Sequence, residues 1–234
     1  ESRAIVATHA DSLARSDTLD THAVLRVVPR GSAIDVTIST FVVHVLPGPT
    51  QALPAAVRSV GRFDAAGAVE FEGAGRAGCA SIAASAFEAT RDLWVKWPAQ
   101  LGVGDQWGDS ASVALCRDGV PLRLILIRRY VVTATSEDTS GSTSGGTPSR
   151  LLTIERRSRI TLEGRGSIRG DSTTLAGEGT GSATLRLSAA SGWLIDGHAM
   201  SVLRLTARGS RRTQSVEQQL TLSFRQTGDS TRSP

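Results

Sequence analysis

Asparagine is absent from the 234 residues, so the chain carries no N-glycosylation sequon. Lys96 is the single lysine among 26 basic residues, and arginine therefore carries almost all of the positive charge. Aromatic residues make up only 4%, so a core must be built mainly from Val, Leu, Ile and Ala. No stretch approaches the roughly 20 apolar residues of a membrane-spanning helix. The longest candidate, residues 120–132, is interrupted by Arg123, Arg128 and Arg129.

The composition is that of a globular protein, with 40% hydrophobic residues. All-β chains of this length routinely form one unit, so we predict a single domain over residues 1–234. The net charge is +4 and the sequence pI is near 10.0. Guanidinium groups bind phosphate and carboxylate bidentately, which favours an anionic partner such as a membrane surface reached through arginine-rich strands. The alternative is that arginine simply solubilises the outer faces of strands.

Two cysteines, Cys79 and Cys116, lie far apart and lack the C-x-x-C spacing of zinc or redox sites. We expect a structural disulfide between them, contributing roughly 3–4 kcal/mol by restricting the unfolded chain. Such a bond persists in oxidising compartments, and Glu1 is preceded by neither a Met nor a signal region. The expectation is a mature periplasmic or otherwise extracytoplasmic protein. The alternative is two unrelated buried thiols in a cytosolic protein.

Alternating apolar and polar residues predict a mainly antiparallel β-fold. Gly/Pro-rich turns separate the strand candidates, which are residues 23–28, 33–46, 57–63, 68–71, 107–116, 120–135, 151–162, 166–177, 181–187, 193–207 and 214–224. Residues 136–149 form a Gly/Ser/Thr-rich segment that we predict to be a flexible loop at the tip of one long hairpin. Residues 226–234 are predicted to be a loose tail.

Residues 80–97 carry apolar side chains at helical spacing and end before Pro98, which predicts the only long helix. Four tryptophans stand out because aromatic residues are scarce. Three of them follow one another closely along the chain, so we expect these three to cluster. Their interpretations are a plug of the core or the lip of an apolar pocket or docking patch; the four residues are Trp94, Trp97, Trp107 and Trp193.

No group of residues predicts a catalytic, cofactor or metal site. Residues 73–78 match G-x-G-x-x-G, but no second βαβ unit follows, so we interpret them as an entry to the helix. The four histidines are scattered rather than paired at ligand spacing. Glu70 and Glu72 share one face of a strand, where they would repel each other.

The helix ending in Trp97, the following Pro98 and Val-Gly-Asp-Gln-Trp107, and the late hairpin around residues 192–194 resemble a group of bacterial envelope proteins. Those proteins have a half-open β-barrel similar to that of lipoprotein carriers. The resemblance covers residues 57–224 in order of elements. It implies a curved antiparallel sheet or half-open barrel wrapping one helix around an apolar hollow, and it implies no functional residue.

These expectations favour a non-enzymatic envelope protein that binds a lipophilic ligand or a membrane-associated partner, without cofactors and without nucleic acid. The alternative is a structural accessory subunit of a larger membrane protein complex, for example respiratory, photosynthetic or secretory. An open hollow would favour the carrier, and a filled hollow would favour the subunit.

Overall fold

A computed structural model describes residues 2–10, 13–30, 33–63, 69–71, 86, 93, 95, 97–98, 100–117, 120–138, 149–168, 170–190, 192–210 and 213–227. Within these ranges the regular elements are twelve strands. In chain order they are β1 (Ser2–Ala10), β2 (Leu13–Arg30), β3 (Ala33–Leu46), β4 (Thr50–Ala52), β5 (Val57–Phe63), β6 (Val69–Phe71), β7 (Gln106–Arg117), β8 (Val120–Asp138), β9 (Ser149–Ile168), β10 (Asp171–Ser188), β11 (Leu194–Arg208) and β12 (Thr213–Arg225).

The strands form one antiparallel sheet in the order β6-β5-β3-β2-β1-β12-β11-β10-β9-β8-β7, with β4 added beside β3. Most neighbours are consecutive hairpins. Two pairs are exceptions. β3 lies against β5, because β4 is added beside β3. In the central pair, β1 at the start of the chain lies against β12 near its end, with Ser2 opposite Leu222 and Ala10 opposite Gln214. The prediction of a mainly antiparallel β-fold is confirmed. Among the described strands, the two at the ends of the order do not pair with each other, so this sheet is not a closed barrel.

The predicted helix over residues 80–97 falls almost wholly outside the described residues. Ala86 has α-helical and Leu93 3₁₀ backbone, but no helix is among the described elements, and Val95 and Trp97 lie in irregular backbone. A helix wrapped by the sheet is therefore not supported. The described residues as a whole contain no helix that is long and apolar enough to cross a membrane. The G-x-G-x-x-G segment at residues 73–78 also lies outside the described residues.

Several strands are longer than the sequence predicts. β8 and β9 pair as the expected long hairpin, but their ladder continues to the pair Asp138 and Ser149. The predicted loop at residues 136–149 thus begins and ends inside strands. β10 runs without interruption through the position between residues 177 and 181, where a break between two strands was predicted. The tail at residues 226–234 is described only at Gln226 and Thr227.

Strand alternation gives the sheet an apolar face and a polar face. The apolar face, called the inner face here, carries Leu122, Leu162 and Leu205 on successive parts of the sheet, each no more than 5% exposed. The opposite, outer face carries most of the exposed charged residues. In β10 exposed positions alternate with buried or half-buried ones over most of the strand, the half-buried ones being Gly177, Gly179 and Gly181.

The inner face is filled by three larger clusters of buried side chains. One lies on β8–β11, one on β3 and one at the opposite ends of β8–β12. Their buried members are, in turn, Val95, Tyr130, Val132, Leu152, Ile154, Ala183, Leu185, Leu187 and Ala199; Ile34, Val36, Ile38, Phe41 and Ala86; and Val120, Leu122, Leu162, Leu175, Leu205 and Val216.

Glycines on the inner face make room for large neighbours. A Cβ added to Gly177 would lie 2.6 Å from Leu205 Cδ2 and 2.7 Å from the Arg204 carbonyl oxygen. A Cβ added to Gly197 would lie 2.7 Å from the Phe224 ring. These distances are shorter than van der Waals contact, so a leucine or phenylalanine of one strand covers the glycine of the next. The inner face is consequently packed by side chains of its own sheet.

Candidate functional site

A buried ion pair lies on the inner face where β7 meets β8. Asp109 and Arg128 are directly opposite each other in the ladder. Arg128 Nε donates to Asp109 Oδ1 at 2.6 Å, and Arg128 Nη2 donates to Asp109 Oδ2 at 2.9 Å. The side chain of Arg128 is only 2% exposed, and that of Asp109 is 8% exposed. This two-bond geometry is the one that a guanidinium and a carboxylate prefer when they are withdrawn from water.

Tyr130 joins the pair from the next inward position of β8. Its hydroxyl donates a hydrogen bond to Asp109 Oδ2 at 3.1 Å. Burial raises the pKa of Tyr130 far above its ordinary value, and this effect outweighs the nearby positive charges of Arg128 and Arg156, which lower it. The phenol is therefore neutral at physiological pH. It acts as a hydrogen-bond donor and is unsuited to act as a base or nucleophile.

Aromatic rings cover this ion pair. The rings of Trp107 and Tyr130 are stacked, with centroids 4.9 Å apart and planes 6° from parallel. Trp97 meets both rings edge-on, with each centroid separation 6.0 Å. Offset stacking and edge-to-face contacts are the favoured geometries of aromatic pairs. The cluster therefore packs as part of the core, and we call these residues together with Asp109 and Arg128 the aromatic–ion-pair cluster.

The structure brings together two of the four tryptophans named from the sequence. Trp97 and Trp107 are in contact, whereas Trp193 packs against the separate cluster around β3. Trp94 and Cys79 lie outside the described residues. The Cys116 backbone lies in β7 opposite Pro121, but its side chain is not described. No disulfide occurs among the described residues, so the Cys79–Cys116 bridge stays a prediction.

Sequence reasoning missed Asp109, Arg128, Tyr130 and Arg156. The pattern that could have revealed the ion pair is the two-residue period of β8. Leu122, Leu124 and Leu126 face inward, and the next inward position is Arg128. A charged residue in register with leucines on one strand predicts a buried charge that needs a partner. Asp109 occupies the matching inward position of β7.

A small cavity lies between two of the inner-face clusters. It has a volume of about 30 Å³ and is lined by Leu126, Arg156, Ser158, Ile160, Gly181, Ala199, Met200, Ser201, Leu220 and Leu222. This space is enough for a water molecule or two. Ligand pockets usually enclose about 300–1,000 Å³, so this part of the inner face is filled rather than hollow.

No chemical constellation accompanies these features in the described part of the chain. Within it, no group of three or more His, Cys, Asp and Glu side chains is placed to hold a metal ion. The described histidines are not grouped with other potential metal ligands. The Nδ1 atom of His44, for example, forms a hydrogen bond with Thr50 Oγ1 at 2.9 Å. The buried acid Asp109 is held by Arg128 and Tyr130.

The outer face carries a second candidate site. Arg129 on β8 lies directly opposite Arg157 on β9, and Arg159 is the next residue of β9 on this face. Residues that lie opposite one another across neighbouring strands form a row; Arg129 and Arg157 belong to one row, and Arg159 belongs to the next. Three exposed apolar side chains lie in these two rows: Met200 in the first, and Ile127 and Val202 in the second. Ile127 is 49% exposed, Met200 is 56% exposed and Val202 is 38% exposed. We call these six residues the outer-face band.

No acidic residue interrupts the outer-face band. From β8 to β12 the two rows are completed by Ser182, Thr221, Thr180 and Gln219. None of the three band arginines forms an ion pair with a described residue, whereas Arg204 in the adjoining row binds Glu217 at 3.0 Å. The band is thus a positive surface mixed with exposed aliphatic side chains.

No protein-family model matches the chain, and no curated protein matches it in sequence. The resemblance to envelope proteins with a half-open barrel stays a prediction.

Proposed function

We propose that this chain is a non-enzymatic, extracytoplasmic envelope protein that docks on a membrane-associated partner through the outer face of its sheet. The observation that carries the proposal is the contrast between the two faces. The inner face is occupied by its own side chains, and the outer face exposes the arginine-rich band. Contact with a partner is the activity that such a surface supports best.

Carrying a lipophilic ligand is the weaker form of the proposal. An acyl chain needs a continuous apolar space, and the described cavity of about 30 Å³ is an order of magnitude smaller than a usual ligand pocket. In addition, the cavity is lined in part by Arg156, Ser158 and Ser201. Lipid extraction and mass spectrometry of protein purified without detergent should then find no stoichiometric lipid.

A structural accessory subunit of a larger membrane complex is the second candidate, and the filled inner face favours it as well. Both functions need docking, but a subunit needs a fixed stoichiometry. Native purification after gentle solubilisation would recover a subunit with partners in constant ratio. A protein that docks reversibly would instead separate from its partner as the ionic strength rises, because exposed charges are screened by salt.

The extracytoplasmic location depends on the proposed bridge between Cys79 and Cys116. Alkylation of the folded and unfolded protein with a thiol reagent, followed by mass spectrometry, counts the free thiols. Protein from an oxidising compartment should show no free thiol until it is reduced. Two alkylated cysteines in the unreduced, unfolded chain would contradict the bridge and the compartment together.

Fractionation of bacteria that express the full chain with an export signal tests the docking proposal. We expect the protein in the membrane pellet at low salt and its release by about 0.5 M NaCl, where the Debye length is only a few ångströms. Recovery in the soluble fraction at every ionic strength would contradict docking on a membrane-associated partner.

A further inference from the structure

We propose that the outer-face band binds the surface of a bilayer containing anionic phospholipids, with the guanidinium groups on the lipid phosphates and the aliphatic side chains at the headgroup boundary. This inference rests on the proposed docking function and names the partner class. It concerns Arg129, Arg157 and Arg159 together with Ile127, Met200 and Val202.

The three arginines form a compact triangle. Residues directly opposite in antiparallel strands have Cβ atoms about 5 Å apart, and alternate residues of one strand are about 7 Å apart. Arg129 and Arg157 are related in the first way, and Arg157 and Arg159 in the second. These spacings let flexible arginine side chains reach neighbouring phosphates of one lipid surface.

The arrangement is unfavourable for the isolated protein. Like charges directly opposite in a sheet repel each other and destabilise it. Arginines that only solubilise a face are normally interspersed with acids, as in the Arg186–Asp196 and Arg204–Glu217 pairs of the same face. The acids of the adjoining rows are Glu155, Glu178 and Glu217, and the last of these is bound by Arg204. A concentrated positive charge without acids within it favours an anionic partner over simple solvation.

The exposed aliphatic side chains distinguish between anionic partners. Single-stranded nucleic acids are held by aromatic stacking, and no residue of the band is aromatic. Interfaces with proteins centre on buried Trp, Tyr and Arg anchors; the band supplies arginines but no aromatic anchor, and the described tryptophans pack on the inner face or its edges. Ile127, Met200 and Val202 instead match the boundary between headgroups and acyl chains, where phosphate and hydrocarbon meet.

Co-sedimentation of the full chain with vesicles tests the inference. The vesicles contain either phosphatidylcholine alone or phosphatidylcholine with roughly one third phosphatidylglycerol, which provides the negative surface potential that attracts basic side chains. We expect binding only to the anionic vesicles, weakened strongly by salt. Replacing all three arginines (Arg129→Gln, Arg157→Gln, Arg159→Gln) should lower the partition coefficient on the order of 100-fold, at about fivefold per arginine.

A matched control removes the same charge elsewhere. Arg150, Arg165 and Arg208 are exposed and lie near the ends of their strands. Arg165 is six positions from Arg159 on β9, about 20 Å along the strand and beyond the Debye length at about 0.1 M salt. Substituting these three by Gln should lower the partition coefficient by less than about fivefold. Equal losses in the two triple variants would overturn the band as the binding site.

Two further arms identify other outcomes. Band-dependent binding to polyglutamate without binding to anionic vesicles would show an acidic protein partner and overturn the bilayer inference. Retention of the chain on native membranes but not on protein-free anionic vesicles would also overturn it, while leaving the docking function standing. If the chain binds neither native membranes nor anionic vesicles, the bilayer inference and the docking function are both overturned. Circular dichroism and thermal melting of each variant establish that the loss of binding is measured on folded protein.

Discussion

Replacing Asp109 by Asn should remove about 3–5 kcal/mol from the free energy of unfolding, because it leaves a buried guanidinium without its countercharge. Arg128 is 2% exposed, so water cannot replace the lost carboxylate. Two charges about 4 Å apart attract each other by about 4 kcal/mol at an effective dielectric constant of about 20, which agrees with that range. Natural domains are stable by only about 5–15 kcal/mol, so the loss would be large.

Hydrogen bonding explains why Asn is a poor substitute despite its similar shape. The carboxylate of Asp109 accepts two bonds from Arg128 and one from the Tyr130 hydroxyl. An amide has one acceptor oxygen, and its NH₂ group would face a donor of Arg128 or Tyr130. The substitution therefore removes a charge and also places two donors against each other.

Urea denaturation followed by tryptophan fluorescence measures this loss, because Trp97 and Trp107 lie in the aromatic–ion-pair cluster. With a denaturant slope of about 2 kcal/mol per molar urea, the midpoint should fall by about 2 M. The double substitution Asp109→Leu with Arg128→Met removes both charges. It should recover much of the lost stability, since an apolar pair needs no countercharge.

Asp196→Asn is the matched control on the outer face. Asp196 binds Arg186 through two nitrogens, but the side chain of Arg186 is 46% exposed and that of Asp196 is 18% exposed. A pair open to solvent contributes about 0–1 kcal/mol, so this variant should lose about 1 kcal/mol or less. If Asp109→Asn costs no more than Asp196→Asn, the pair of Asp109 and Arg128 is solvated and the reasoning is refuted.

Three more predictions test the packing and the charges. Tyr130 is the only tyrosine, and its raised pKa means that the unfolded chain ionises before the folded one. Stability should therefore fall as the pH rises above about 10. Tyrosinate absorbance should appear together with unfolding; its appearance near pH 10 in folded protein would contradict the burial. Gly177→Ala should cost about 1–3 kcal/mol by overpacking, whereas Gly181→Ala, whose Cβ would lie 3.1 Å from the Met200 carbonyl oxygen, should change stability by less than about 1 kcal/mol. Similar costs in urea denaturation would argue against tight packing under Leu205. Arg129→Glu places an acid opposite Arg157 and should raise stability by about 0.2–1 kcal/mol; a lower melting temperature would show that these arginines do not repel each other.

Local sequence patterns predicted the hairpins but not the continuity of the long strands. Gly177, Gly179 and Gly181 were interpreted as a connection between two strands, because glycine is common in turns. In the structure all three are inward positions of β10, and Leu205 and Leu203 of β11 lie against Gly177 and Gly179, where a Cβ would stand. Whether a glycine turns the chain or accommodates a neighbour depends on the adjacent strand, which a single segment does not show.

Pairing between distant parts of the chain was also beyond local patterns. No strand was predicted before residue 23, yet residues 2–10 form β1 and lie between β2 and β12. The contact between Trp97 and Trp107 was expected because they are close in sequence. Tyr130, which stacks on Trp107 and meets Trp97 edge-on, was missed because it lies on β8, and only the register of β7 against β8 brings it to these rings.

Two adjacent arginines show how the sheet separates stability from binding. Arg128 points inward, is 2% exposed and is held by Asp109, whereas Arg129 points outward opposite a second arginine. The first arginine stabilises the fold only because its countercharge is in the same chain. The second has no described countercharge and lies opposite a residue that repels it, so under the proposed docking its favourable interaction would come from outside the chain. Substitution of Arg128 should therefore destabilise the protein without testing docking, and substitution of Arg129 should weaken docking while the fold is retained.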